Sequence, residues 1–205
     1  MKGSMAIKGD SSEYDLLQKW CEETTLTDLV MTCEIGVREG LGSKIIMDTF
    51  IDRVQPGNYR HIGIDPYGNL KYQHYDTSPA YTADYTENMR CQLQKDLSIY
   101  TEFDLFHMTD VEFMNRFWDT GPYNLVHFDG PHMSKDVMTE AVWFANRAAP
   151  RARFIFDDYK KYQMDVIAYA LTLYGFKTIE SGENKICLEK QTYPTLPASL
   201  MGKEV

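Results

Sequence analysis

The stretch Leu29-Val30-Met31-Thr32-Cys33-Glu34-Ile35-Gly36-Val37-Arg38-Glu39-Gly40 decides how the chain is read. Residues 29–37 are short, apolar and rich in β-branched side chains, which predicts a buried strand. Gly36 and Gly40 then permit a tight turn, and residues 43–54 are amphipathic at helical spacing. A strand, a glycine turn and a helix in this order form the first unit of a parallel α/β sheet.

The same unit recurs downstream of this stretch, and a helix precedes it. Upstream, Ser11 or Ser12 can cap a lead-in helix that carries Leu16, Leu17, Trp20 and Cys21 on one side. Downstream, residues 59–64 predict a second strand ending at Asp65 and Pro66, with further strands at 103–108, 123–128 and from 154 to 156. Between them the spacing predicts a helix capped by Thr82 and carrying Tyr85, Met89, Leu93 and Leu97, and a short helix over 111–118. Ser134 caps another, with Val137, Ala141 and Phe144 on its apolar face, and a last one carries Met164, Ile167 and Leu171. Residues 175–180 and 185–189 predict a hairpin around Ser181, Gly182, Glu183 and Asn184. The sum is a doubly wound, seven-stranded, mostly parallel sheet with one antiparallel edge strand. Residues 68–81, with Tyr72, Tyr75 and Tyr81, show no period and predict a long loop, either closing over a substrate or standing off as an excursion. Residues 1–10 predict a flexible arm, 11–192 the folded domain and 193–205 a tail.

Composition narrows the partners. A net charge of −9 repels phosphate backbones, and basic pairs such as Lys160-Lys161 are too sparse to make a patch, so a nucleic-acid substrate is not expected. Cys21, Cys33, Cys91 and Cys187 are widely spaced without a Cys-x-x-Cys motif, as suits reduced thiols. Neither a signal peptide nor a run of apolar residues long enough for a membrane span is present, so the expected location is cytoplasmic.

In open α/β sheets ligands sit beyond the carboxyl ends of the strands. Glu34 precedes the glycines of the first turn, which suits an ammonium or sulfonium better than a pyrophosphate. Asp65 is positioned to accept from ribose hydroxyls. Asp110 can accept from an adenine amino group or, with Thr109, cap the helix that follows. The fourth strand ends in Asp129-Gly130-Pro131-His132 and the fifth in Asp157-Asp158-Tyr159. Brought together, three carboxylates call for a compensating cation, and an oxygen donor set favours Mg2+, Mn2+ or Ca2+ over zinc. His132 is spaced to take a proton from a substrate hydroxyl while such a metal holds the alkoxide. His61, His74, His107 and His127 are read as structural.

The segments CEIGVREG (33–40), HIGIDPYG (61–68), VHFDGPH (126–132) and FIFDDY (154–159), in this order and separation, resemble class I S-adenosylmethionine-dependent methyltransferases. Within that Rossmann-like class the chain is similar to the group holding macrocin-type sugar O-methyltransferases and cephalosporin-hydroxylase-like proteins, over about residues 12–190. The resemblance implies S-adenosylmethionine as cofactor and O-methylation of a small-molecule hydroxyl with a divalent metal, magnesium first. It implies that Glu34, Gly36 and Gly40 line the methionine end, with Arg38 of the same turn among the cofactor contacts, that Asp65 binds the ribose, and that Asp110 lies near the adenine. It also implies Asp129, Asp157 and Asp158 as metal ligands, His132 as the catalytic base, and Asp129 as both a catalytic and a cofactor-contacting residue. The group carries Pro-Gly-Gly before the fifth strand, where this chain has Pro150-Arg151-Ala152-Arg153, so that turn must differ. Two other readings stand beside it: a nicotinamide-dependent oxidoreductase, disfavoured by the missing dinucleotide fingerprint, and a nucleoside-binding module without chemistry.

Overall fold

The apolar run beginning at residue 30 forms β1 (Val30–Ile35), and α2 (Leu41–Ile51) follows it across the glycine turn. In the computed structural model, which describes residues 7–9 and 11–192, β1 lies inside a seven-stranded sheet. The tail 193–205 and most of the expected arm 1–10 lie outside the described residues. On one side of β1 come β2 (Tyr59–Ile64) and β5 (Phe103–Phe106), and on the other β6 (Tyr123–Phe128) and β7 (Ala148–Phe156), all parallel. The hairpin β8 (Phe176–Ser181) and β9 (Ile186–Lys190) completes that edge, with β9 running antiparallel between β7 and β8.

Each face of the sheet carries its own apolar layer. Leu17, Trp20 and Cys21 of α1 (Tyr14–Glu22), Ile46, Met47 and Phe50 of α2, and Leu93 of α3 (Glu87–Asp96) pack with Leu125, Ile155 and Cys187. Phe113 of α4 (Asp110–Arg116), Val137, Ala141 and Phe144 of α5 (Ser134–Ala145), and Ile167 and Leu171 of α6 (Met164–Thr172) pack with Ile35, Phe128, Phe154 and Phe156. Side chains alternate between faces along each strand, so both layers are filled by the same strands. Burying a side chain of this size contributes about 1.5–3 kcal/mol. The layers hold the strand ends still.

The register then sets the site. Ile35 pairs with Ile64 on one side and Phe128 on the other, and Phe128 pairs with Phe156, so four strands end on one rung. Each ladder gains one more bond beyond it: Gly36 N–H donates to Ile64 O at 2.9 Å, Asp129 N–H to Ile35 O at 2.9 Å, and Asp157 N–H to Phe128 O at 3.0 Å. Gly36, Asp65, Asp129 and Asp157 are therefore the first residues past a common edge.

Several elements differ from the sequence expectation, among them α5, which has Met133 at its N-cap and Ser134 as its first residue. Thr82 does not cap a helix: it belongs to β4 (Tyr81–Thr82), paired antiparallel with β3 (Lys71–Tyr72), and Thr86 caps α3 by accepting from Met89 N–H at 3.1 Å. The tyrosine-rich segment is thus a folded arm, docked where His132 N–H donates to His74 O at 2.8 Å. β7 begins at Ala148, not at 154, and Arg151 with φ 61° holds the left-handed conformation that favours glycine. The charged residues hid this part of the strand because their charges are met locally. Arg153 pairs with Glu189 at 3.1 Å and with Glu23 at 3.0 Å, while Arg151 pairs with Glu189 at 2.9 Å. At the other end of the domain, the Glu13 carboxylate accepts from the backbone N–H groups of Glu183, Asn184 and Lys185 at 2.7, 2.7 and 2.8 Å, which ties α1 to the hairpin turn.

Candidate active site

Two cavities open at the carboxyl edge of the sheet. The smaller, about 310 Å³, is lined by Gly36, Ile64, Asp65, Pro66, Thr109 and Asp110 and roofed by Leu70 and Tyr72 of the β3–β4 arm. The larger, about 560 Å³, is lined by Ser11, His74, Tyr75, Asp84, His132, Asp157 and Asp158. Arg38, Tyr85 and Asp129 belong to both walls, so the cavities adjoin.

The smaller cavity is shaped by backbone. Gly36 has φ 83°, and a Cβ there would be driven into the Asp129 carbonyl, so the β1 turn and the β6 turn touch only because residue 36 has no side chain. Asp65 is buried, its Oδ2 accepts from Arg38 N–H at 2.8 Å, and its Oδ1 has no partner among the described residues. A buried carboxylate oxygen without a donor is costly, so this one is open to a hydroxyl donor that enters the cavity. Burial raises the Asp65 pKa to about 6 against the lowering effect of its backbone donors. Asp110 is on the wall at the first turn of α4, while Thr109 is the cap, in a reciprocal box with Glu112.

Two residues expected at the cofactor lie elsewhere. Glu34 points inward: its carboxylate accepts from Ser43 Oγ and meets His127 Nδ1 at 2.8 Å, directly beneath Gly42. It braces the turn from inside. Gly40 has φ 90°, precedes α2 and packs against Leu93, away from both cavities.

In the larger cavity the acids divide. Asp157 Oδ1 faces Lys185 Nζ at 2.6 Å, its Oδ2 accepts from Ser11 Oγ at 2.6 Å, and Lys185 is completely buried. Burial pushes the Asp157 carboxyl up, but the Lys185 ammonium outweighs it and leaves the carboxyl well below the usual range. Asp129 is hydrogen-bonded to Asp157, and burial followed by the Asp157 charge pushes its carboxyl well above that range. The cation demanded by clustered acids is therefore a lysine of the chain itself. With Asp157 saturated by Lys185 and Ser11, the set Asp129, Asp157 and Asp158 does not fit a shared divalent ion.

Asp158 turns the other way, with φ 48°, and accepts from Tyr75 OH. Its Oδ2 is 3.8 Å from His132 Nδ1, which lies 3.3 Å from His74 Nε2. The His132 ring is nearly parallel to Tyr75 and Tyr162, at 20° and 14°, and its buried Nε2 has no hydrogen-bond partner among the described residues. Burial, then the neighbouring His74, lower the His132 pKa to about 4, so the ring is neutral at pH 7.

Four residues here have no site role in the sequence: Lys185, His74, which reads as structural, Tyr75, which reads as loop, and Ser11, which reads as a helix cap although Glu13 precedes α1. Lys185 sits at the start of a strand with ordinary spacing, and His74 and Tyr75 lie in a segment without a period; only the fold brings them to the strand ends.

The sequence profile of a family described as a methyltransferase domain matches residues 33–159, more than half of the chain. The chain belongs to that family. No curated protein matches it in sequence. Among solved structures, this methyltransferase domain is similar to an O-methyltransferase from Bacillus cereus in complex with SAH, at 9% identity and TM-score 0.59, covering 91% of this chain and 84% of that one. An rRNA methylase from Streptococcus thermophilus aligns at 12% identity and TM-score 0.54 over 90% of this chain and 100% of that one. A ribosomal protein L11 methylase from Lactobacillus delbrueckii subsp. bulgaricus aligns at 11% identity and TM-score 0.54 over 87% and 78%. At these identities the likeness is one of fold, and the three acceptors named differ in kind. No helix among the described residues of the methyltransferase domain is long and apolar enough to cross a membrane.

Proposed function

We propose that this domain transfers a methyl group from S-adenosylmethionine to a hydroxyl of a small, polar acceptor. The observation that carries the reading is the shared wall. Asp129, Arg38 and Tyr85 separate a cavity with an unpartnered buried Asp65 oxygen from a polar cavity that holds His132. The nucleoside belongs in the first, where Asp65 accepts from the ribose and Asp110 lies beside the base. The acceptor belongs in the second. Its carboxylates, with the net charge of −9, disfavour a polyphosphate chain and suit a neutral, hydroxylated molecule.

The reaction is a displacement in line. The acceptor oxygen attacks the methyl carbon, the C–O bond forms as the C–S bond breaks, and the electron pair of that bond stays on sulfur. The hydroxyl proton leaves on the side of His132 and Asp158. No covalent enzyme intermediate is required, so the domain contributes mainly position and charge stabilisation.

Calorimetric titration with S-adenosylhomocysteine and, separately, with NAD tests the reading. Binding of the first, and not the second, is expected. Tight NAD binding without S-adenosylhomocysteine binding would replace it with the oxidoreductase reading. Transfer of labelled methyl from S-adenosylmethionine into a panel of sugars and phenols then identifies the acceptor.

A further inference from the structure

Two groups in the site combine imidazole and carboxylate donors: Glu34 with His127 and Asp129, and His74 with His132 and Asp158. The first is closed on itself. Glu34 and His127 are in direct contact at 2.8 Å, and Lys185 Nζ is 3.4 Å from the other ring nitrogen of His127. No room for an ion is left there.

The second group is spaced differently. His74 Nε2 and His132 Nδ1 face each other at 3.3 Å, and Asp158 Oδ2 stands 3.8 Å from His132 Nδ1. The first separation is long for a hydrogen bond and the second is beyond one. Both match donors that share an ion, since ligands about 2.1 Å from a metal at tetrahedral angles lie about 3.4 Å apart. The rings meet at 63° rather than stacking, and the His132 N–H to His74 O bond at 2.8 Å holds the arm and the sheet edge in register at this point. Tyr75 OH donates to this same Oδ2 and so fixes the direction of the Asp158 carboxylate, a support that ligating carboxylates carry. Asp158 also keeps a left-handed backbone, a cost that residues bear at functional positions.

We propose that His74, His132 and Asp158 bind a divalent transition-metal ion at the acceptor end of the site. Two imidazoles and one carboxylate select zinc, iron, cobalt or manganese over magnesium, and they leave coordination positions open towards the larger cavity. An acceptor hydroxyl bound at an open position ionises more readily and releases its proton to water. His132 is then a ligand, not the group that receives the proton. The catalytic part of this proposal rests on the methyl-transfer reading, whereas the binding of the ion does not.

The test uses the full chain, stripped by chelation and titrated with Co2+, with the visible absorption of the bound ion as readout. The wild type is expected to develop nitrogen-coordinated cobalt bands that equimolar Mg2+ does not remove, and His74→Ala and Asp158→Asn are each expected to weaken Co2+ binding at least about tenfold. S-adenosylhomocysteine affinity, measured on every variant, reports folding and the cofactor reading separately. Absence of cobalt bands, or equal Co2+ affinity in wild type and His74→Ala, with S-adenosylhomocysteine still bound, would overturn the metal site and leave methyl transfer standing.

Discussion

Lys185 Nζ and Asp157 Oδ1 lie 2.6 Å apart in the interior, one residue beyond the Phe156–Ile186 pair that joins β7 to β9. The pair exists because the antiparallel strand β9 enters the sheet beside β7 with a lysine just before its first residue. It compensates one of the acids at the strand ends before any ligand arrives. Removing one partner leaves a buried charge alone, which costs about 3–5 kcal/mol. Lys185→Met is expected to lose stability on that scale in urea unfolding, and Lys185→Met with Asp157→Leu to regain much of it. A single-variant loss below about 1 kcal/mol would mean that the pair carries little.

With the cofactor placed as proposed, Asp65 is expected to link pH to cofactor affinity. Its carboxyl is raised by burial to about 6, and ribose hydroxyls donate to the ionised form, so binding requires the proton to leave. S-adenosylhomocysteine affinity is expected to be level above pH 7 and to fall towards tenfold per unit below about pH 6. The sign for stability is opposite. A carboxyl raised in the folded state stabilises below its unfolded value near 4 and loses that contribution as pH rises through about 6. Asp65→Asn should therefore bind weakly at every pH and raise the unfolding temperature of the ligand-free protein at pH 7.5 but not at pH 4. A dissociation constant unchanged between pH 5 and pH 7.5 in the wild type would detach Asp65 from the ligand.

Gly36 and Gly57 separate strain from space. Both have positive φ, but a Cβ at Gly36 strikes the Asp129 backbone, whereas one at Gly57 meets nothing within 4 Å. Gly57→Ala is expected to cost about 1 kcal/mol with cofactor affinity unchanged. Gly36→Ala must spread the β1 and β6 turns and is expected to lose S-adenosylhomocysteine binding altogether. Equal behaviour of the two in a binding titration would show that the close approach is not needed.

His132→Ala is expected to reduce methyl transfer by at least about 100-fold, whether the residue takes a proton or holds a metal. Its ring lines the larger cavity and not the smaller, so S-adenosylhomocysteine affinity should stay within about threefold. Full turnover in this variant would remove His132 from the chemistry.

The sheet was legible because its evidence is periodic: β1, β2 and β6 are apolar runs with turn residues at both ends, and apolar patterns need no knowledge of neighbours. β7 was cut short because Arg151 and Arg153 look like loop residues until Glu189 and Glu23 are beside them. The α3 cap was misplaced for a similar reason. Thr82 and Thr86 are equally able caps, and only the pairing of Tyr72 with Tyr81 chooses between them. At the site, Asp65, Asp129 and Asp157 follow from strand ends, and the register brings them to one edge. Glu34 was read by its type, as an anion near a cation, and the fold instead spends it on Ser43 and His127. Lys185 and His74 are invisible in one dimension, because each matters through a partner 28 or 58 residues away.

Asp157 is held by Ser11, 146 residues before it, and by Lys185, 28 residues after it. Translation delivers Ser11 before Asp157 and Lys185 after it, so the new carboxylate stands without its ammonium until the hairpin residues have been added. The site is therefore complete only once the hairpin is seated beside β7, with Glu13 holding its turn. A truncated product ending before that strand would be a failed assembly, not a slower catalyst.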